Sequence, residues 1–136
     1  MINILLIGAG GIGKRHLEAL IKMDIEKHIY IFDTSISVRK NIIKNYNFKF
    51  IKIIDKLIDA PDIINICVVA TTAKSRLSVI TEITKSKIYI QFLILEKVLC
   101  QSLGQLYEMK RLLNLKNIEK IFVNQWFRRW LIKSNV

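Results

Sequence analysis

The sequence has few of the residues that mark fibrous, low-complexity or disulfide-stapled proteins. One proline and five glycines in 136 residues exclude collagen-like and low-complexity chains. The two cysteines, Cys67 and Cys100, stand far apart and form no CxxC pair. This spacing excludes a disulfide scaffold and disfavours a zinc site, so we expect reduced thiols, a cytoplasmic protein and no bound metal.

The sequence also has no long hydrophobic run. Its first apolar segment, Ile2–Ile7, lacks a preceding basic region and stops at Gly8, so it predicts a strand rather than a signal peptide. The other apolar stretches, Ile63–Ala70 and Phe92–Leu95, are far shorter than the roughly 20 residues that a membrane helix needs. We therefore expect no membrane partner.

Acidic residues are the scarcer charge. The chain has 22 Lys and Arg against 11 Asp and Glu, a formal net charge of +11, which is a feature of many nucleic-acid-binding proteins. The lysines are spread over the whole length, however, and no RNP, KH or helix-turn-helix pattern accompanies them. We expect a solvated basic surface and no nucleic-acid partner. A basic nucleic-acid-binding protein stays as a third hypothesis, which a salt-dependent DNA titration would test.

Apolar residues make up 51% of the chain, enough for one domain with a buried core. Strand-like runs alternate with helical patterns, which predicts βαβ units. The predicted strands are Ile2–Ile7, His28–Phe32, Phe48–Ile53, Ile63–Val69, Ile88–Leu95 and Ile121–Val123. The predicted helices are Lys14–Met23, Ser35–Tyr46, Lys74–Lys85 and Ser102–Leu113, the last with Leu103, Leu106 and Leu113 facing inward. The predicted fold class is α/β, with a doubly wound, mostly parallel six-stranded sheet in three αβα layers.

A glycine-rich loop follows the first predicted strand and opens the first helix. Its GxGxxG pattern places glycines at Gly8, Gly10 and Gly13. Gly8 permits a tight turn, Gly10 lets the backbone approach a pyrophosphate, and Gly13 lets the helix pack on the strand. The N–H groups at the helix start, including those of Gly11 and Ile12, then bind the phosphates. The loop predicts a dinucleotide as ligand.

Asp33 ends the second predicted strand, 20 residues after Gly13. Dinucleotide-binding folds place an acid there to accept hydrogen bonds from the adenosine ribose. An aspartate at a strand end also starts turns through its own side chain. We favour the ribose role and expect NAD as the cofactor, with NADP kept open by Arg39 a few residues on.

The order of these motifs resembles the amino-terminal domain of the Gfo/Idh/MocA (glucose–fructose oxidoreductase/inositol dehydrogenase) family. The resemblance covers Met1–Trp130. It rests on GAGGIGKRH at 8–16, Asp33, DIINICVVATT at 62–72, LEK at 95–97 and VNQWFRRW at 123–130. Each motif is moderately specific, and their order and spacing together are more so.

The resemblance implies a Rossmann domain at 1–130 that binds NAD or NADP, with 131–136 beginning a larger substrate domain. The implied activity is hydride transfer at a carbon of a sugar or cyclitol substrate. Lys97 would be the catalytic residue, orienting substrate or shuttling a proton. The implied cofactor contacts, beside the glycine loop and Asp33, are Ala70, Thr71, Thr72, Glu96 on the nicotinamide riboside side, and Arg128.

Two departures from the family pattern change the expectations. Position 98 is Val where the family has Pro after a cis bond, and a cis bond before a non-proline residue costs about 3 kcal/mol, so we expect a trans Lys97–Val98 bond. The chain also stops soon after its sixth predicted strand, which we interpret as a truncated form. We expect weak cofactor binding, no turnover, and an apolar Trp126–Trp130 face compatible with homo-oligomers. The alternative function is a stand-alone, non-catalytic dinucleotide-binding or sensing module.

Overall fold

A computed structural model describes residues 1–116 and 118–124, which form alternating strands and helices. The strands are β1 (Ile2–Ile7), β2 (Lys27–Phe32), β3 (Ile51–Ile54), β4 (Ile63–Val69), β5 (Tyr89–Glu96) and β6 (Lys120–Asn124). The helices are α1 (Gly11–Lys22), α2 (Ile36–Asn45), α3 (Ala73–Lys85) and α4 (Leu103–Lys116). In the described part of the chain, no helix is both long and apolar enough to cross a membrane.

The six strands form one sheet in the order β3-β2-β1-β4-β5-β6, and every pair is parallel. The register sets Ile7, the last residue of β1, opposite Phe32 on one side and Val69 on the other. The chain moves outward in one direction through β2 and β3 and in the other through β4, β5 and β6. Such a reversal opens a crevice at the carboxyl ends of the central strands, where ligands bind in this kind of fold.

Helices cover both faces of the sheet. Leu17 and Leu20 of α1 and Ile42 of α2 are buried against one face, with Ile4 and Leu6 of β1. The opposite face holds a second core with side chains from β1, α3 and α4, including Leu5, Ile7, Ile80, Ile83, Met109 and Leu112. β1 is apolar at nearly every position because both of its faces are buried. The predicted fold class, doubly wound with three layers, is confirmed.

Some predicted details at the ends of elements were wrong. β3 begins at Ile51 rather than Phe48, and the rings of Phe48 and Phe50 stack 5.1 Å apart before the strand starts. Leu103, predicted to face inward, is 69% exposed because it is the first residue of α4 and lies beyond the edge of the core. Met109 is among the α4 residues that provide the buried stripe instead.

Candidate dinucleotide-binding site

The turn from β1 into α1 is packed too tightly for side chains at two of its glycines. Gly8 has a φ of +86°, and a Cβ there would lie 3.0 Å from the backbone nitrogen of Thr71. A Cβ on Gly13 would lie 1.9 Å from the carbonyl oxygen of Gly8. Both positions therefore need glycine for reasons internal to the protein: a left-handed turn at one and helix-on-strand packing at the other.

Gly10 differs from the other two glycines because no described residue is close enough to exclude a side chain there. A Cβ on Gly10 would meet no atom of residues 1–116 or 118–124 within 4 Å. Gly10 is the N-cap of α1, without a side-chain cap, and the first turn of α1 contains no acidic residue. A helix start leaves N–H groups without intrahelical partners at the positive end of its dipole, so this end suits an anion. Gly11 and Ile12, the next two residues, are exposed.

Asp33 lies directly after β2 and is bonded to the glycine loop. Its Oδ2 accepts a hydrogen bond from the backbone N–H of Ala9 at 2.7 Å, and its Oδ1 accepts one from Ser35 at 2.8 Å. The turn-forming role, which the sequence left open, is therefore present in the structure. A carboxylate has about four acceptor sites, so two such bonds leave room for ribose hydroxyls. The ribose role stays a prediction.

A cleft of about 330 Å³ lies at the carboxyl ends of β1, β2 and β4. Its lining includes Gly8, Gly10, Asp33, Ala70, Thr71 and Thr72, together with Ser75, Ser78, Val79 and Glu82 from α3. The structure thus brings six of the predicted cofactor residues to one cleft. The Thr71 hydroxyl oxygen, Oγ1, is buried without a hydrogen-bond partner in the described residues. Because buried polar atoms are normally paired, this orphan oxygen fits a ligand that bears polar groups.

Glu96, at the end of β5, is 5% exposed and is bonded to polar groups that are themselves only partly buried or exposed. Its Oε1 lies 2.5 Å from Nε2 of His16 on α1 and accepts a hydrogen bond from the Asn124 side-chain amide at 2.8 Å. Its Oε2 accepts the Lys97 N–H at 3.2 Å. The carboxylate therefore joins α1, β5 and β6, and its predicted contact with the nicotinamide riboside stays a prediction.

The same contacts shift the pKa of Glu96. Burial is the largest single influence and raises this pKa, but the hydrogen bonds from Asn124, His16 and the Lys97 N–H, with the charge of His16, together outweigh it. The pKa of Glu96 is therefore held below its usual value of 4.5. Glu96 is charged at neutral pH, as its hydrogen-bond donors require.

We expect this shift to make the protein sensitive to acid. A folded-state pKa below the unfolded value means that Glu96 stabilises the fold above about pH 4.5, and that this contribution is lost as pH falls through the folded pKa. As pH is lowered from neutral to acidic, the free energy of unfolding should therefore fall less for the Glu96→Gln variant than for the parent. Urea unfolding at a series of pH values measures this difference.

Glu108→Gln is the matched control for the acid experiment. The Glu108 pKa is also lowered, chiefly by its hydrogen bond with Arg111, but this pair lies on the surface of α4. Surface pairs contribute little, so this variant should follow the parent closely. If Glu96→Gln had the same pH profile as the parent, the contacts of Glu96 would not explain the acid sensitivity.

Lys97 is exposed at the carboxyl end of β5, and its bond to Val98 is cis. The expected trans bond is therefore wrong. That expectation rested on the general preference of a non-proline residue, which is one local influence. In the structure, the surrounding backbone is also held by hydrogen bonds to the carbonyl oxygens of Glu96 and Val98, both from Arg76.

Arg76, on α3, is a site residue that the sequence analysis missed. Its side chain is fully buried. The guanidinium donates hydrogen bonds to the carbonyl oxygens of Thr71, Glu96, Val98 (2.8 Å) and Leu99 (3.4 Å). Burial is the main influence on the Arg76 pKa and lowers it, while the nearby charge of Glu96 opposes the shift.

A signal for Arg76 does exist in the sequence. Arg76, Ile80 and Ile83 are the buried residues of α3 and follow the i, i+4, i+7 spacing of its inner stripe. An arginine on such a stripe must either leave the core or find several acceptors inside it.

Several predicted residues lie outside the described part of the chain. These are Arg128, the Trp126–Trp130 face, and the domain boundary with 131–136. Within residues 1–116 and 118–124, no group of three or more His, Cys, Asp or Glu side chains is placed to hold a metal ion.

Several solved structures share this fold. WlbA dehydrogenase from Chromobacterium violaceum, in complex with NADH and UDP-GlcNAcA, has a TM-score of 0.74 at 18% identity, covering 94% of this chain and 36% of that one. Apo scyllo-inositol dehydrogenase from Lactobacillus casei has a TM-score of 0.71 at 14% identity, covering 91% and 36%. The super-repressor mutant of Gal80p from Saccharomyces cerevisiae has a TM-score of 0.73 at 16% identity, covering 86% and 33%.

This chain spans about a third of the length of each of these proteins. A comparison with curated proteins found no match. A family model described as an oxidoreductase family with an NAD-binding Rossmann fold matches residues 2–124, nearly the whole described chain. The glycine loop, the sheet order and this match agree, and the chain belongs to the Gfo/Idh/MocA oxidoreductase family as its NAD-binding Rossmann domain.

Proposed function

We propose that this chain is the cofactor-binding part of an oxidoreductase that moves a hydride between NAD and a hydroxyl or carbonyl carbon of a sugar or cyclitol. The observation that carries the proposal is Gly10, a glycine with open space around it at an uncapped helix start that lines the cleft. The similar WlbA structure holds NADH and UDP-GlcNAcA, and another similar structure is an inositol dehydrogenase, which supports this substrate class.

Different residues of the chain would bind different parts of the cofactor. The N–H groups of Gly10, Gly11 and Ile12 would hold the pyrophosphate, and Asp33 would accept hydrogen bonds from the adenosine ribose. Thr71 and Thr72 would line the path toward the nicotinamide. When bound, NAD supplies the hydride acceptor or donor.

Lys97 is the proposed catalytic residue, and it would also orient the substrate. It follows β5 at the edge of the sheet where the cleft opens. When an alcohol is oxidised, its carbon loses a hydride and its oxygen loses a proton. Lys97 would hold the substrate oxygen and take or return that proton.

Arg128 is proposed as a further cofactor contact.

We propose NAD rather than NADP as the preferred cofactor. The Asp33 carboxylate would repel a 2′-phosphate, and Arg39, the basic residue that kept NADP open, is ion-paired with Asp55. NADH should therefore bind more tightly than NADPH. Asp33→Ser should reduce the difference between the affinities for NADH and NADPH. Fluorescence titration of each nucleotide measures both affinities.

Asp24→Asn is the control for the cofactor experiment, because it removes the same charge on the loop between α1 and β2, at the opposite edge of the sheet from the cleft. It should leave the preference unchanged. Equal affinities for NADH and NADPH in the parent would contradict the proposed role of Asp33, and a preference for NADPH would point to Arg39.

The activity itself is tested with the purified chain, NAD and a panel of sugars and cyclitols, followed by NADH absorbance. We expect no turnover from this chain. Turnover that disappears in Lys97→Ala, while NADH still binds, would support the dehydrogenase activity and contradict the interpretation as a truncated form. A chain that binds no dinucleotide would contradict the proposal altogether.

A second candidate is a non-catalytic dinucleotide-binding or sensing module. The similarity to the super-repressor mutant of Gal80p favours it. That protein shares the fold at a TM-score of 0.73, and its description is of repression rather than of an enzymatic activity. NADH binding without turnover is expected of both candidates. A reading frame that continues beyond codon 136 would favour the oxidoreductase, and one that stops there would favour this module.

A further inference from the structure

Arg76 is the one charged side chain of the described residues that is fully buried. Every acceptor that the structure gives its guanidinium in this part of the chain is a main-chain carbonyl oxygen. One acceptor belongs to Thr71, just after β4, one to Glu96, the last residue of β5, and two to the turn that follows β5. A single side chain therefore joins the ends of two neighbouring strands.

Burying this charge only to fill space would cost free energy. A leucine or methionine on the inner stripe of α3 would pack against Ile80 and Ile83 without the cost of removing a guanidinium from water. An arginine adds a rigid planar fork of donors whose directions are set by the group itself. The Nε atom has no partner in the described residues, so the fork makes its hydrogen bonds through its two terminal nitrogens.

The two loops that Arg76 joins belong to different parts of the site. Thr71 lines the dinucleotide cleft, whereas the turn Glu96–Leu99 contains Lys97. We propose that Arg76 is a positioning residue that holds the Lys97 turn in a set place relative to the cofactor-binding loop after β4. This inference rests on the proposed function, because it gives Lys97 a role beside the cofactor.

The arrangement has an energetic consequence for cofactor binding. A ligand bound against Thr71 would also fix the position of the Thr71 carbonyl, which accepts a hydrogen bond from Arg76. Through the guanidinium, the ligand would fix the position of the turn that contains Lys97. Coupling between two sites is reciprocal, so loss of the guanidinium should weaken the response of Lys97 to the cofactor and also the affinity for the cofactor.

The experiment compares Arg76→Met and Arg76→Lys with the parent chain. Arg111→Met is the matched control, because Arg111 lies on the surface of α4 and pairs with Glu108. Lysines are dimethylated with ¹³C-formaldehyde, which keeps their charge, and the Lys97 resonance is assigned from its absence in Lys97→Arg. The Lys97 resonance and its titration midpoint are then measured with and without NADH, below the unfolding temperature of each variant.

In the parent and in Arg111→Met, NADH should shift the Lys97 resonance. In Arg76→Met, the resonance without NADH should already differ from that of the parent, and saturating NADH should no longer move it. The Kd for NADH should rise about fivefold, the low end of typical coupling between sites. Arg76→Lys keeps the charge but not the planar fork, so it should lie between the two.

Four results would overturn the inference or separate it from the proposed function. An unchanged Lys97 resonance in a folded Arg76→Met would overturn it. If neither Arg76 variant folded, the guanidinium would serve folding rather than positioning, which would overturn it as well. If Arg111→Met changed the Lys97 resonance as Arg76→Met did, the effect would not belong to Arg76. If the parent bound no NADH, the proposed function would fail, while the resonance without NADH would still decide the role of Arg76.

Discussion

Replacing Gly10 with valine should abolish NADH binding while leaving the free energy of unfolding close to that of the parent. The backbone at Gly10 is extended, with φ −70° and ψ −157°, a conformation that valine adopts readily. The added side chain would enter open space on the protein side and occupy the position through which a pyrophosphate approaches the helix start. NADH titration and urea unfolding measure the two quantities on the same preparation.

Gly104→Val is the control for this experiment. Gly104 lies in the first turn of a helix, α4, and the Ser102 hydroxyl, at 3.9 Å, is the one described atom that a Cβ there would meet. This variant should bind NADH as the parent does. If Gly10→Val bound NADH with the parent's affinity, the glycine loop would not be the phosphate site.

Gly13→Ala should have the opposite pattern, with a large loss of stability. The new methyl group would have to lie 1.9 Å from the carbonyl oxygen of Gly8, an atom of the backbone that cannot rotate away. Either the helix must move off the strand or the turn at Gly8 must open. Overpacking of a tight contact costs up to about 3 kcal/mol, and we expect a loss at this upper end. Urea unfolding gives the value directly.

Gly11→Ala is the matched comparison for this second substitution. It adds the same methyl group to the same loop, at the first position of α1, where no atom of the part of the chain that the structure describes lies within 4 Å. Because alanine favours a helix over glycine, this variant should be at least as stable as the parent. Equal stability of Gly13→Ala and the parent would mean that the close contact with Gly8 does not exist.

The pattern of the sequence was sufficient to predict those elements whose formation depends on local periodicity. β4 was predicted with its observed bounds, Ile63–Val69, because a strand covered on both faces is continuously apolar. The glycine loop was predicted with its place between β1 and α1, because GxGxxG is a local pattern with a local cause. The family resemblance then supplied Thr71 and Lys97, which no periodicity singles out.

The features that were missed depend on contacts between distant parts of the chain. His16 and Glu96 are 80 positions apart, and nothing near either residue predicts the other. Arg76 reaches the turn at Glu96 from 20 positions away. The cis bond before Val98 lies within that turn. Local preferences describe each of these segments alone, whereas the structure is decided by the partners that the fold brings to them.

The place of β1 in the middle of the sheet has a consequence for how the chain is made. β1 is synthesised well before β4, yet the two strands pair, with Ile7 opposite Val69 about 60 residues later. At typical translation rates, this leaves one edge of β1 without its partner for roughly 3 to 12 seconds. During that time the apolar segment Ile4–Ile7 offers an open template to any other extended chain. Synthesis under crowded conditions should therefore produce more aggregate than refolding of the same residues, already joined in one chain, at low concentration.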